Sequence, residues 1–455
     1  MSSKFLAIAA TTVASALLLT GCNSADTGGD GKPAETTEAT STQAATYDTG
    51  AYKSTPHPGW PASAGETIGP ITETTLIGAN TLLPYEVDNR FSRGGLPQRQ
   101  STFELFSSLF ASNIREKISS LEPTYLTGFT QLANDPKTKS NAENTVARFV
   151  SPQAAEDAAK LLNDTFLAEG GSDLATGDPA PLEKVTIPGK EDILASKDER
   201  RQVQRAFFTK DEYLFFVYTS NESLDENNDP IDHGPESMDW MQEYVKAFAD
   251  KQLPLIDLIP SHKTAEGYGK SDEWPNPDPN DILRYAVMKP KEVELVGTVP
   301  VTLNARLLTS NYLDKAAILK LYDNAKIDAA ASAETLLLRA PNEAHADLIE
   351  ATLKALDAEV EGIEPYDEPQ NVPGTTCYTS PGNNATYYSC YLRYGNYVAR
   401  GNLVDIKADE DEVTTSAAPD DQKIDVKTQL SHIMAAQYLI LQEAPKEQAE
   451  EVGKK

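Results

Sequence analysis

The sequence predicts an α+β protein: two related β-α-β-β-α halves, ferredoxin-like in plan, with antiparallel sheets, standing after a signal peptide and a disordered linker. Three observations carry this. A strand–turn–helix motif occurs twice, each copy is followed by an aromatic strand pair and a closing helix, and the composition changes abruptly near residue 47. In order, the expected segments are 1–21 signal peptide, 22–46 flexible tether, 47–260 N-terminal domain, 261–282 linker, 283–445 C-terminal domain and 446–455 tail.

Within residues 1–21, Lys4 is the sole charge and Phe5 to Leu19 is apolar. Fifteen residues of helix reach roughly 22 Å, short of the ~30 Å hydrocarbon core, so a cleavable signal is expected rather than a stable span. Leu19-Thr20-Gly21-Cys22 resembles the lipobox of bacterial lipoproteins. That resemblance implies a mature chain starting at Cys22, with a diacylglyceryl (palmitate-type) anchor on its thiol. Residues 23–46 carry no aromatic side chain and almost nothing to bury, which cannot offset the entropy of ordering.

Each half is then read in turn. "ENTVARFVSPQAAEDAAKLLNDTFLAEG" gives a strand, a Ser151-Pro152 start and a helix with Ala155, Ala158, Leu162 and Phe166 on one side. "AETLLLRAPNEAHADLIEATLKALDAE" repeats the shape, with Pro341 in the place of Pro152 and a stripe of Ala344, Leu348, Ala351 and Ala355. Strand pairs follow around Lys210-Asp211 and around Gly395-Asn396, with Tyr213 and Tyr397 after the turns. The closing helices carry Met241, Tyr244, Val245 and Phe248, and Leu430, Ile433, Met434, Gln437, Tyr438 and Leu441. Helices are expected on one face of each small sheet. The Gly-, Pro-, Asn- and Asp-rich run 261–282 interrupts the periodicity, and a strand-like "VPVTLNARLLTS" and helix-like "LDKAAILKLYDNAKID" lead into the second half.

The chain has 455 residues and a formal charge of −29. Removing residues 1–21 deletes one lysine and no acid, which moves the charge from −29 to −30. Such a surface repels nucleic acid and anionic headgroups, so no nucleic-acid partner is expected. After Cys22 only Cys377 and Cys390 remain, with twelve residues and a Pro-Gly-Asn-Asn turn between them, and an exported chain would join them in a structural disulfide.

Familiar catalytic signatures are missing. The five histidines, His57, His233, His262, His345 and His432, stand at no metal-helix spacing, and no nucleophile elbow or phosphate loop occurs. In the final helix, beside Ile433 and Met434, His432 reads as packed or surface-exposed rather than as a base. The 69 carboxylates are too many for a pair to stand out, so no catalytic residue and no cofactor is assigned. "DENNDPIDHGPE" places Asp225, Asn227, Asp229 and Glu236 at calcium-loop positions, but Pro230 stands where such loops need glycine, and an acidic surface loop is the preferred reading. Phe207, Phe215, Tyr387, Tyr391 and Tyr397 could line a lipid or glycan groove, but alternating strands need such residues for their core. Asn163, Asn221 and Asn384 fall in Asn-x-Ser/Thr sequences, to which a bacterial lipobox gives no meaning.

Finally, "YDTGAYKSTPHPG", "TLLPYEVDNRF", "CYLRYGNYVARGNLVD" and "AAQYLILQEA" occur in an order that resembles a family of large lipoproteins from mycolate-bearing actinobacteria, over most of residues 47–443. Asn89 stands where that family usually has proline after "EVD". The family is a domain of unknown function; the resemblance implies an address and a two-domain body, and carries over only Cys22. The expected role is that of an outward-facing lipoprotein of the cell membrane or outer envelope, tethered by its lipid. It would bind or scaffold an envelope protein, lipid or glycan without enzymatic chemistry, and the groove near residues 260–300 is the place to look for a site. A solute- or lipid-binding lipoprotein serving a transporter is the first alternative, and an envelope hydrolase the second.

Overall fold

Each aromatic hairpin is extended by further strands into its own seven-stranded antiparallel sheet. The computed structural model describes residues 47–445 apart from 66, 173–178, 181, 200, 222–234, 265, 291–298, 367–368, 370–371, 383 and 407–424. The first half contains α1 (Gly69–Ala79), α2 (Pro84–Val87), β1 (Gln98–Gln100), α3 (Phe103–Ser107), α4 (Ser112–Lys117), β2 (Tyr125–Asn134), β3 (Asn141–Phe149) and α5 (Pro152–Glu169). It continues through β4 (Gly171–Ser172), β5 (Pro179–Ala180), β6 (Glu183–Ile187), β7 (Lys190–Asp198), β8 (Val203–Lys210), β9 (Tyr213–Ser220) and α6 (Asp239–Ile256). The second contains β10 (Val301–Thr302), α7 (Ala305–Ser310), α8 (Lys315–Asn324), β11 (Ala329–Ser332), β12 (Thr335–Arg339) and α9 (Glu343–Ala358). Then come β13 (Glu364–Tyr366), β14 (Thr375–Gly382), β15 (Ala385–Tyr394), β16 (Tyr397–Ile406) and α10 (Val426–Gln442).

The duplication is visible in the strand orders, β1-β2-β3-β9-β8-β7-β6 and β10-β11-β12-β16-β15-β14-β13. Numbered along the chain within each sheet, both read 1-2-3-7-6-5-4. The expected β-α-β-β-α order is present as β3, α5, β8, β9, α6 and as β12, α9, β15, β16, α10. It is embedded in a larger sheet than expected, because further strands precede β3 and stand between α5 and β8. The register repeats residue by residue: Arg148 faces Tyr213 across β3–β9, and Arg339 faces Tyr397 across β12–β16. The turn between β8 and β9 is Asp211-Glu212, one residue later than expected, with Asp211 at φ 52° as Gly395 is at φ 57°. The following residues make matching bonds, Phe149 N to Glu212 O at 2.8 Å and Ala340 N to Asn396 O at 2.9 Å.

The one-face packing of helices is corrected. α5 covers one face of the first sheet with Phe207 and Phe216, whose rings stack at 4.9 Å; α6 covers the other with Phe208 and Phe215, stacked at 4.8 Å. The strands are apolar at consecutive positions rather than at alternate ones, so both faces need a cover. Each buried phenylalanine contributes roughly 1.5–3 kcal/mol relative to exposure. In the second half α9 and α10 likewise belong to different cores. The central core is shared between halves: it joins Phe215 and Phe248 to Ile318, Ile349, Leu353 and Val398.

α5 starts as predicted, with Ser151 Oγ accepting from Ala154 N at 3.2 Å, and buries Ala155, Ala158, Leu162 and Phe166. α9 differs. Asn342 is its cap, accepting from His345 N at 3.1 Å, and the buried stripe is Ala346, Ile349 and Leu353. Ala344, Leu348, Ala351 and Ala355 are exposed. Shifting the start past Pro341 turns the bulkier Ile349 and Leu353 inward, and alanines tolerate water at little cost. The strand-like run 299–310 forms the short strand β10 and then α7, whose start is set by Asn304 Oδ1 accepting from Leu307 N at 3.0 Å.

The stretch before α1 packs on the C-terminal core. Tyr47 meets Tyr438 at 5.3 Å, Tyr52 Oη accepts from Gln429 at 3.1 Å, and His57 N donates to Arg284 O at 2.8 Å. Gly50 sits at φ 51° with the His432 ring so close that a Cβ would stand 2.4 Å from it, so this crossing requires glycine. Cys377 and Cys390 are cross-strand partners in β14–β15, buried and joined as a disulfide.

Candidate binding cleft

α1 begins at Gly69-Pro70 and runs Thr72, Thr74, Thr75 with each hydroxyl donating to the carbonyl four residues back, Ile68, Pro70 and Ile71. Gly78 lets it lie directly on β2, since a Cβ there would stand 2.5 Å from the Phe129 ring. Opposite lies the proline-rich run 275–280. Asn276 Oδ1 accepts from Asp278 N at 2.8 Å, and Asp278 turns away to cap the next turn, accepting from Ile282 N at 2.9 Å and Leu283 N at 3.1 Å. Burial raises the Asp278 carboxyl above the usual carboxylate range, against those donors. β10, the edge strand of the second sheet, and the start of α7 form the third wall, with Asn304 Nδ2 donating to Ala79 O at 2.8 Å. The space between is a cleft of about 260 Å³, lined by Thr72, Thr75, Leu76, Asn80, Pro275, Pro277, Thr302, Leu303 and neighbours, none of them charged. Arg306 donates to the carbonyl of the lining residue Ala79 at 3.3 Å and pairs with Glu86 at 2.8 Å.

A second constellation lies at the tip of β3, and sequence reasoning missed it. Arg148, Glu73 and Glu212 are all fully buried. The guanidinium meets Glu73 Oε1 at 2.5 Å and Glu212 Oε1 at 3.4 Å, and donates to the carbonyls of His262 and Tyr268. Ser261 Oγ donates to Glu212 Oε1 at 2.8 Å, and the His262 N–H to Glu73. Burial pushes the Glu73 carboxyl up despite Arg148. The cluster ties residues 261–271 to the first sheet, and those residues lead through Trp274, stacked on His262 at 3.7 Å, into the cleft wall. The repeat equivalents of Arg148 and Glu212 are Arg339 and Asn396; Arg339 pairs with the half-exposed Asp328 at 3.0 Å. Nothing in sequence could link Glu73 to Arg148.

Lys315 is a further buried charge. Its Nζ donates to Gly95 O at 2.7 Å and Ser310 O at 2.9 Å, joining the halves, and burial lowers its pKa to about 8 from an ordinary 10.5. Because the folded pKa is depressed, this term favours the fold above pH 10.5 and is lost as pH falls through 8. Urea unfolding at pH 9.5 should give a stability about 2 kcal/mol above that at pH 7.5, and Lys315→Met should flatten the difference. An equally steep profile in the variant would assign the effect elsewhere.

The remaining sequence candidates disperse. Cys22, His233 and the Asp225, Asn227 and Asp229 loop lie outside the described residues, and Glu236 falls in the short 3-10 helix Pro235–Met238. Among the described residues no group of three or more His, Cys, Asp or Glu could hold a metal, and no helix is long and apolar enough to cross a membrane. His57 stacks on Trp60 at 4.8 Å, His345 bonds Asn342 at 2.8 Å, and His432 meets Asp48 at 3.3 Å. Phe207, Phe215, Tyr391 and Tyr397 are buried in the cores, whereas Tyr387 is 49% exposed. Asn163 is buried in α5, Asn221 sits in a buried amide network with Gln202 and Ser140, and Asn384 makes the turn before β15.

Two family models cover these halves. "Domain of unknown function (DUF7373) N-terminal" matches residues 60–268 and "Domain of unknown function (DUF7373) C-terminal" matches 283–411. The chain belongs to the DUF7373 family. In this DUF7373 protein the two matches meet across 269–282, the run that forms one wall of the cleft. No curated protein matches. The solved "Structure of crystal form I of TP0453" aligns over 78% of this chain and 98% of its own, at 9% identity and a TM-score of 0.21, too low for any argument from fold.

Proposed function

We propose that this DUF7373 protein is exported, acylated at Cys22 and held at the outer face of an envelope membrane, where it acts by binding rather than by chemistry. The cleft between the halves carries this reading: it is formed jointly by α1, residues 275–280 and β10–α7, a location typical of ligand sites. The Cys377–Cys390 bond supports an oxidising compartment, and the lipobox-like Leu19-Thr20-Gly21-Cys22 supports the anchor. Buried charges such as Arg148 and Lys315 are spent on holding segments together, which leaves them unsuited to catalysis.

Cys22→Ser is expected to move the protein from the membrane to the soluble fraction; retention of the processed variant on membranes would refute the anchor. Native mass spectrometry of the acylated protein, purified gently from its own envelope, is expected to show an added small-molecule mass. A bare chain, reproducibly, would count against ligand binding and favour a scaffold.

A further inference from the structure

We infer that the cleft between the halves takes a small, uncharged amphiphile with a hydroxyl head group, and that it rejects the carboxylate and ammonium analogues of the same molecule. This rests on the binding reading and adds the chemistry of the ligand. In a chain with 40 basic and 69 acidic residues, no charged side chain among the described residues lines the cleft. The acid within the proline run, Asp278, is buried and engaged by three backbone N–H groups, and Arg306, bonded to Ala79 O, is neutralised by Glu86. A charged guest would lose its hydration there and find no counter-ion.

The polar atoms set the rest. Thr72 and Thr75 give their hydrogens to Ile68 O and Ile71 O, Asn80 Nδ2 donates to Leu76 O at 2.9 Å, and Asn304 Nδ2 to Ala79 O. These bonds leave a guest the lone pairs of the threonine hydroxyls and the second N–H of each amide, a mixed set that an alcohol hydroxyl, both donor and acceptor, matches. Leu76, Leu303, Leu307 and the prolines supply an apolar wall, and about 260 Å³ admits only a short chain or part of a longer one, below the ~300–1,000 Å³ of sites for drug-sized molecules.

The test uses the full-length chain with Cys22→Ser, which needs no detergent, titrated with 1-decanol, decanoate and decyltrimethylammonium. Thermal unfolding and backbone hydrogen exchange are followed together. Decanol should raise Tm and slow exchange in α1, 275–280 and β10, and each ion should need at least about tenfold more to match it. Leu76→Glu should abolish the decanol effect with its circular dichroism unchanged; Thr302→Glu, on the edge strand, serves the same purpose should Leu76→Glu fail to fold. Equal potency of decanoate, or protection that falls elsewhere, overturns the inferred selectivity while leaving ligand binding open to other chemistry. No response to any of the three probes overturns the inference, and, if native mass spectrometry also shows a bare chain, the binding reading falls with it.

Discussion

Replacing Arg148 with methionine should destabilise the fold by about 3–5 kcal/mol, because two buried carboxylates would lose the cation they share. The same change removes the donor to the carbonyls of His262 and Tyr268, so residues 261–271 should lose hydrogen-exchange protection ahead of the sheet. Adding Glu73→Gln and Glu212→Gln should recover much of the loss, since neutral amides are far cheaper to bury than unpaired carboxylates. The second half already uses an amide at the position equivalent to Glu212, Asn396, whose side chain donates to Ala340 O at 2.8 Å. Urea unfolding of the three proteins decides the matter. A cost below about 1 kcal/mol for Arg148→Met would mean that the cluster is not the tie described above.

Removing the disulfide is the second large effect. Cys377→Ala with Cys390→Ala should cost about 3 kcal/mol, the loop-closure entropy restored to the unfolded chain by opening a short loop. Both sulfurs are buried between β14–β15 and α10, so reductant should act on the native protein only through opening of that sheet. The double variant should therefore unfold at lower urea, while the unmodified protein keeps its midpoint through brief exposure to dithiothreitol and loses it after reduction in denaturant. Equal midpoints for oxidised protein and double variant would show that strand pairing alone holds this region.

The duplication, the sheet-forming hairpins and the inward residues of α5, α6 and α10 could be read from the chain. Strand and helix periodicities are local, and Phe207, Phe215, Tyr244 and Leu430 each lie in a run whose spacing declares a buried side. The disulfide could be read because its partners are near neighbours in sequence. The phase of α9 could not. Several apolar stripes fit its composition, and the choice fell to Asn342 as cap and to Ile349 and Leu353 meeting the shared core.

What only the tertiary structure decided depends on pairs far apart in the chain. Consecutive aromatics on β8 and β9 require cover on both faces, but sequence cannot say that α5 supplies one cover and α6 with the second half supplies the other. Glu73 and Glu212 meet Arg148, and Lys315 finds Gly95 O, through contacts that leave no trace in local spacing. The uncharged cleft has the same character: α1, the proline run and β10 are each unremarkable as sequence. Among the described residues charge is absent from their meeting place because Asp278 turns back to cap its own turn and Arg306 finds Glu86. The chain by itself thus determined its elements, its repeat and its cross-link, since each follows from short-range periodicity and loop closure. The site had to wait for the fold, because its chemistry comes from which groups are turned away as much as from which are present.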